Sequence, residues 1–310
     1  MFAVINVHKP LHLTSHDVIA RLRRVYKIKK VGHMGTLDPL AEGVLPVCLG
    51  VATRLIEYFP ENKRYLAKVC LGKTTTTLDS AGEETSLSDC SHIQLTHESV
   101  DQLLEQFRGT ITQEVPLYSA VHVDGKKLYQ LAYAGKTATL PSREVTIYTL
   151  ALVKIDLSNP AQPKLVLDVS CSSGTYIRSL ARDIGAQLGV GAHLSGLTRT
   201  QHGLFNLENA IPLANIQSSE TPEIFLQNPL PFVNLPTIHL PNPELALKFR
   251  HGLKVKPDEI NERQSPEIDL NEWEEEKVYL ASLAAEPIGV IKYSNGLLKP
   301  VKIFPPELVR

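Results

Sequence analysis

From His33 to Gly50 the chain reads HMGTLDPLAEGVLPVCLG, a tight polar turn set between two apolar stretches, and this segment constrains the fold more than any other. Gly32 and Gly35 bracket His33, where glycine lets backbone approach another chain or a ligand closely. Asp38 precedes Pro39, whose ring pushes the residue before it towards extended backbone, so Asp38 is expected at a fixed bend and not inside a helix. Gly43 opens a second apolar run, Val44 to Leu49; Pro46 argues against a plain central strand there, and Gly50 closes it. A reactive carboxylate is presented in this way, yet an Asp-Pro pair that merely starts a turn has the same residues. Residue types alone leave the two open.

Around this segment the hydrophobic periods change. Thr14 followed by Asp17 is a capping-box pattern, and Val18, Ile19, Leu22 and Val25 then repeat at helical spacing. The other face of that helix carries Arg21, Arg23, Arg24 and Lys27, with Lys29 and Lys30 beyond, so a basic band over residues 17–30 leads into His33 and Asp38. Further helices are expected at Thr96–Phe107, at Lys127–Ala134, and at Thr175–Leu188 with Ile177, Leu180, Ala181, Ile184 and Leu188 inward and Arg178 and Arg182 opposite. Tyr65–Leu71, Val145–Ile155 and Leu165–Cys171 have strand character. Strands separated by helices without regular βαβ spacing predict an α+β fold with a mixed, largely antiparallel sheet and flanking helices.

Three units follow: a domain at 1–215 with an insertion at about 119–143, a Ser/Pro/Asn-rich linker at 216–236, and a small C-terminal domain at 237–310. The last holds short strands at Lys277–Ser282, Ile288–Tyr293 and Leu298–Phe304, and an acidic stretch from Asp258 to Glu276 reads as an exposed, mobile insertion. The four cysteines have no C-x-x-C spacing, which argues against a zinc site and a disulfide framework and fits a reducing cytoplasm. No apolar run reaches the roughly 18 residues of a membrane span, and no secretory leader is visible. The net charge of −1 hides a polarity: residues 1–70 carry 11 Lys/Arg against 5 Asp/Glu, net +6, while 71–110 and 216–310 are acidic. A local positive face suffices for phosphate contacts, so the overall balance does not exclude RNA.

GHMGTLDPLAEGVLPVCLG resembles the catalytic motif of the TruB family of tRNA pseudouridine synthases, and VHKPLHLTSHDVIARLRR resembles that family's first motif. KRYLAKVCLG, VPLYSAVHVDGKKLYQLA, SCSSGTYIRSLARDIG and GAHLSGLTRTQHGLF follow in the family's order, so the resemblance covers about residues 2–212. PIGVIKYSNGLLKPVKIF is similar, more loosely, to the small β-barrel PUA-type RNA-binding domain appended to these enzymes.

The resemblance implies isomerisation of uridine 55 in the T-loop of tRNA, by a monomer without cofactor, metal or guide RNA. Asp38 matches the nucleophile, and Tyr65 the tyrosine that packs on the flipped uracil and can act as general base. Arg178 matches the arginine paired with the aspartate. Tyr176 and Leu197 match the lining of the base pocket, and His33 the histidine that takes the place of the extruded nucleotide. There are three departures: Thr76 stands for an acid in the family's T-D-T-x-D stretch, His122 for a lysine and Tyr133 for an arginine. The rival readings are a guide-dependent pseudouridine synthase of the dyskerin type, which shares the core, and a tRNA-binding folding factor.

Overall fold

The computed structural model describes residues 1–123, 125–135, 139–260 and 273–309. The chain opens with strand β1 (Phe2–Lys9) and helix α1 (Ser15–Val25), followed by β2 (Val31–His33) and β3 (Ala41–Gly50). Next come β4 (Lys63–Leu71), β5 (Lys73–Thr75), β6 (Glu84–Leu87), α2 (His97–Glu105) and β7 (Gly109–Glu114). The insertion contributes β8 (His122–Val123), β9 (Lys126–Lys127) and α3 (Leu128–Tyr133). β10 (Ser142–Asp156), β11 (Lys164–Cys171), α4 (Ile177–Gln187), β12 (Ala192–His202), β13 (Phe205–Asn206), β14 (Ile211–Pro212) and α5 (Leu213–Ser218) complete this part.

A ten-stranded sheet, in the order β14-β1-β3-β12-β4-β11-β10-β7 with β2 on β3 and β13 on β12, forms the frame. Its pairs are mostly antiparallel, with parallel pairs at β1–β14 and β3–β12, as the α+β reading requires. Helices α1, α2 and α4 bury their apolar stripes in one core with the sheet: Val18, Ile19 and Leu22 from α1, Val100 and Leu104 from α2, and Leu180, Ala181 and Ile184 from α4. Helix α1 starts where its sequence says, because Thr14 and Asp17 close a reciprocal capping box. It ends at Val25, so Lys27, Lys29 and Lys30 lie beyond the helix.

Two local devices fix the loop between β2 and β3. Ser15, at the start of α1, donates its hydroxyl to the carbonyl of Leu37 (3.1 Å) and accepts from the Leu37 amide (2.8 Å). The Leu37 side chain is buried in the main core. At the loop's far end Gly43 has φ +102°, and a methyl group there would stand 2.3 Å from the carbonyl oxygen of Arg199 on β12.

Pro46 does lie within a strand in the middle of the sheet, contrary to the sequence expectation. It sits opposite Asn6 of β1, and its carbonyl accepts from Met34 (3.0 Å), so its polar backbone edge faces away from β1. On that outer side β12 pairs only with Ala41–Gly43 and β2 only with Val47–Leu49. The ring nitrogen therefore falls in the gap between them, where no ladder bond is lost.

The segment after α5 is held against both cores. Phe225 and Leu226 pack on the main core, Gln227 bridges to Val4, and the Phe232 ring stacks on Phe205 at 4.4 Å. Beyond it β15 (Thr237–His239), α6 (Pro243–Arg250), β16 (Val278–Leu283), β17 (Glu286–Ser294) and β18 (Leu297–Ile303) build a four-stranded sheet with its own core around Phe249, Tyr279 and Ile291. Leu280, Val290 and Phe304 instead join a second cluster with Val4, Val44 and Leu55 of the first part. Residues 261–272 of the acidic stretch lie outside the described residues.

The Gly43→Ala variant is expected to lose stability by at least about 1–3 kcal/mol, from the strain of a side chain at this backbone angle, with the contact to Arg199 adding to it. Chemical denaturation of the purified variant against the parent measures this.

Candidate active site

Asp38 lies in the loop between β2 and β3, bracketed by the buried Leu37 and by Pro39, whose carbonyl accepts from His12 (2.8 Å). Its carboxylate is held at one oxygen: Oδ2 pairs with Nε of Arg178 at 3.0 Å, while 40 % of the side chain is open to solvent. Oδ1 takes no hydrogen bond from the described residues. A carboxylate anchored on one oxygen and open on the other can act as a nucleophile or a proton acceptor.

Arg178 is the opposite case, with a side chain 8 % exposed. The helical pattern places it with Arg182 on the face away from the core. The structure covers that face at its start: at the first turn of α4 residues Ile177 to Ala181 are all buried, while Arg182 reaches the surface, pairing with Glu114 and Asp183. Every edge of the Arg178 guanidinium is used. Nε meets Asp38, one terminal nitrogen donates to the carbonyl of Thr77 (3.0 Å), and the other donates to that of Tyr118 (3.0 Å). Asp79 stands 3.6 Å away as a second carboxylate, itself fixed by the Thr77 hydroxyl (2.5 Å) and the Ala81 amide (3.0 Å). Burying a guanidinium is tolerable when it is paired and bonded in this way.

Tyr65 on β4 is buried, and burial pushes its phenol up from the ordinary value, opposed by the neighbouring Arg199 and reinforced by Cys171 and Asp38. Leu197 on β12 pairs with Ala41 on one side and Ala67 on the other, which sets it just beyond the Asp38 loop. Tyr176 is the residue before α4. Gln113 of β7 binds it twice, accepting from its amide (2.7 Å) and donating to its carbonyl (3.0 Å), and Arg143 stands over its ring at 5.5 Å.

His33 ends β2, ahead of the loop. Its ring meets His16 of α1 edge-on at 5.6 Å, and burial, then His16 and Arg199, pull it down to about 4. It is a neutral ring at neutral pH, suited to stacking.

Sequence reasoning missed three cations at this site. Lys9 on β1 is fully buried; its ammonium donates to the carbonyls of Pro10 (2.9 Å) and Leu13 (2.7 Å), and burial lowers it to about 8 against the opposing charge of Asp38. Arg199 on β12 is also fully buried, and Lys63 on β4, lowered by burial, donates to Ser173 (3.2 Å). All three lie in or beside segments quoted as motifs, but nothing local in the sequence marks a lone cation there as buried. The three departures lie elsewhere. Thr76 accepts from the Glu83 amide (3.1 Å), His122 is exposed on β8, and Tyr133 is exposed beside the rings of Tyr118 and Tyr129. Among the described residues no group of three or more His, Cys, Asp or Glu is placed to hold a metal ion, and no helix is long and apolar enough to cross a membrane.

Known proteins resemble this chain along most of its length. The family description "TruB family pseudouridylate synthase (N terminal domain)" matches residues 23–177, and "tRNA pseudouridylate synthase B C-terminal domain" matches 178–226. The protein named tRNA pseudouridine synthase B of Synechocystis sp. is 46% identical over 258 residues, covering 82% of this chain and 86% of its own length. Its namesake from Acaryochloris marina is 38% identical over 310 residues, covering 99% of this chain and 100% of its own. Among solved structures, a chain of a Cbf5-Nop10-Gar1 complex superposes with a TM-score of 0.71 at 25% identity, covering 99% of this chain and 87% of that one. A chain in an H/ACA RNP bound to a substrate RNA, at 24% identity and a TM-score of 0.70, shares the fold. The chain belongs to the TruB family of pseudouridylate synthases.

Proposed function

We propose that this protein isomerises uridine 55 in the T-loop of tRNA, with Asp38 as its nucleophile. The observation that carries the reading is the half-open Asp38 carboxylate, fixed on one oxygen by the buried Arg178 and free on the other. In the reaction the C1′–N1 glycosidic bond breaks, the detached uracil turns within the site, and a C1′–C5 bond forms. The proton on C5 leaves and N1 gains one, so nothing is oxidised or reduced and no cofactor is called for. Asp38 covers the departing bond by adding to the ribose C1′ or to the base, or by assisting loss of a ribose proton, and then leaves.

The other matched residues divide the remaining work. Tyr65 packs against the base and accepts the C5 proton; Tyr176 and Leu197 line the base pocket. A stacked uridine hides the atoms to be attacked, so the nucleotide is extruded and the neutral His33 ring takes its place in the loop. The basic band after Asp17 meets the phosphates, with Arg23 and Arg24 exposed on α1. The protein works as a cytoplasmic monomer on free tRNA. Relatives of full matching length named tRNA pseudouridine synthase B favour this stand-alone reading over a guide-dependent one.

The Asp38→Asn variant is expected to fold and bind tRNA but to form no pseudouridine, because the amide keeps the shape and loses the nucleophilic charge. Single-turnover tritium release from tRNA labelled at uridine C5, with no guide RNA present, measures this. Product from the variant would refute the role of Asp38, and a parent enzyme silent without a guide would refute the stand-alone reading.

Neutralising Arg23 and Arg24 together is expected to weaken tRNA binding and to flatten its log–log dependence on salt by about one unit for each phosphate that α1 no longer neutralises. Titrations at several salt concentrations read the slope directly, and an unchanged slope would leave α1 facing solvent alone.

A further inference from the structure

A fully buried arginine with no carboxylate beside it needs an explanation, because its desolvation is costly and the described residues supply Arg199 with no ion pair. What they supply is main chain. Nε donates to the carbonyl of Val44 (2.7 Å), and the terminal nitrogens donate to those of Thr36 (3.3 Å) and Gly35 (3.0 Å). Gly35 and Thr36 lie on the N-terminal side of Asp38, and Val44 lies on the β3 side, so one guanidinium clasps the loop at both ends. The backbone does the same at close range, since Arg199 is the ladder partner of Gly43 on β3 and of Tyr65 on β4. Tyr65 lies across the ladder from Arg199, where the cation opposes the upward push of burial on its phenol.

We propose that Arg199 is a positioning residue of the reaction, the group that holds the Asp38 loop and the Tyr65 phenol at one fixed separation. The proposal rests on the assignment of Asp38 and Tyr65 as the reacting pair. Lysine cannot replace the arginine fully, because a single ammonium cannot reach three carbonyls set around a planar fork. Gly35 is part of the same arrangement. A methyl group on it would lie 3.0 Å from the His202 ring, 3.4 Å from the Lys63 chain and 3.6 Å from the guanidinium.

The cation also acts on the phenol. The charged or titratable groups facing Tyr65 are Arg199 from β12, Cys171 from β11 and Asp38 from the loop. Behind Arg199 stand Lys63 and the rings of His33 and His202, both neutral at neutral pH because burial holds them at about 4 and about 2. Arg199 is thus the group opposing the upward push of burial on Tyr65. Without it the phenol is harder to ionise, and a rate that needs the phenolate rises only at higher pH.

The test uses full-length Arg199→Gln, Arg199→Lys, Tyr65→Phe and the Arg199→Gln/Tyr65→Phe double variant, each checked for folding by thermal melting and for tRNA affinity. Single-turnover rates at saturating tRNA are then measured against pH. Expected for Arg199→Gln is unchanged tRNA affinity and a rate lower by about 100-fold, the scale of a misplaced reacting group. Its ascending pH limb should move upward, that limb should be absent in Tyr65→Phe, Arg199→Lys should recover part of the rate, and the double variant should lose less than the product of the two single losses.

A folded Arg199→Gln with the parental rate, or with a pH limb in the parental place and losses that multiply, would overturn the proposal. Should Arg199→Gln and Arg199→Lys both fail to fold, Gly35→Val leaves the guanidinium in place and sets a branched side chain against it, where a single methyl would already stand 3.6 Å away. A slower rate with a raised pH limb then supports the proposal, and parental behaviour overturns it. Failure of the underlying assignment is seen separately, as an active Asp38→Asn or an unimpaired Tyr65→Phe.

Discussion

The ion pair between Asp38 and Arg178 is the contact on which the rest of the site depends, because it joins a solvent-facing loop to the buried end of a helix. A guanidinium in the first turn of a helix opposes the helix dipole, and one that is buried must also replace its water. Arg178 meets both demands by gathering acceptors from three distant stretches of chain: the loop at Asp38, the turn at Thr77–Asp79 and the segment at Tyr118. The position of the carboxylate is thereby a property of the whole sheet-and-helix framework. The double amide contact of Gln113 with Tyr176 serves the same end, by seating the start of α4 against β7.

Much of this was legible in the sequence, and the parts that were not share a cause. The capping box at Thr14 and the apolar stripes of α1, α2 and α4 were visible because short-range periodicity reports burial directly. Motif resemblance singled out Asp38 and Arg178, which the structure pairs, where residue types alone favoured a plain turn over a reactive acid. The burial of Arg178 was missed because a polarity pattern counts an arginine as solvent-facing, whereas here its face of the helix is covered by partners far away along the chain. Lys9 and Arg199 escaped for the same reason: their strands are buried, and a lone cation in one carries no local signature. β12 itself was legible only as a motif, since its sequence GLTRTQH lacks the alternation of a half-buried strand.

The two parts of the molecule are less separable than a linker reading suggests. Phe304 of the C-terminal unit packs on Phe2 with ring centres 5.3 Å apart, Lys302 lies over the Tyr58 ring at 4.9 Å, and the Arg54 side chain donates to the carbonyl of Ile303. These contacts sit on β1 and the turn after β3, that is, on the ladder partner and the continuation of a strand that bounds the Asp38 loop. Whatever surface the C-terminal sheet offers to RNA is therefore presented at a set orientation to the carboxylate.

Pro46 adds a constraint of another kind. A strand may pair with its neighbour in several registers, and a slip by one residue turns every side chain to the opposite face. Sliding β3 by one place along β1 would aim the proline's nitrogen at an acceptor it cannot satisfy, so the observed alignment, unlike that slip, leaves the β1 ladder whole. The loop just upstream inherits that alignment, and a missing hydrogen on one backbone nitrogen thus acts as a stop against the one-residue slip that would displace Asp38 from Arg178.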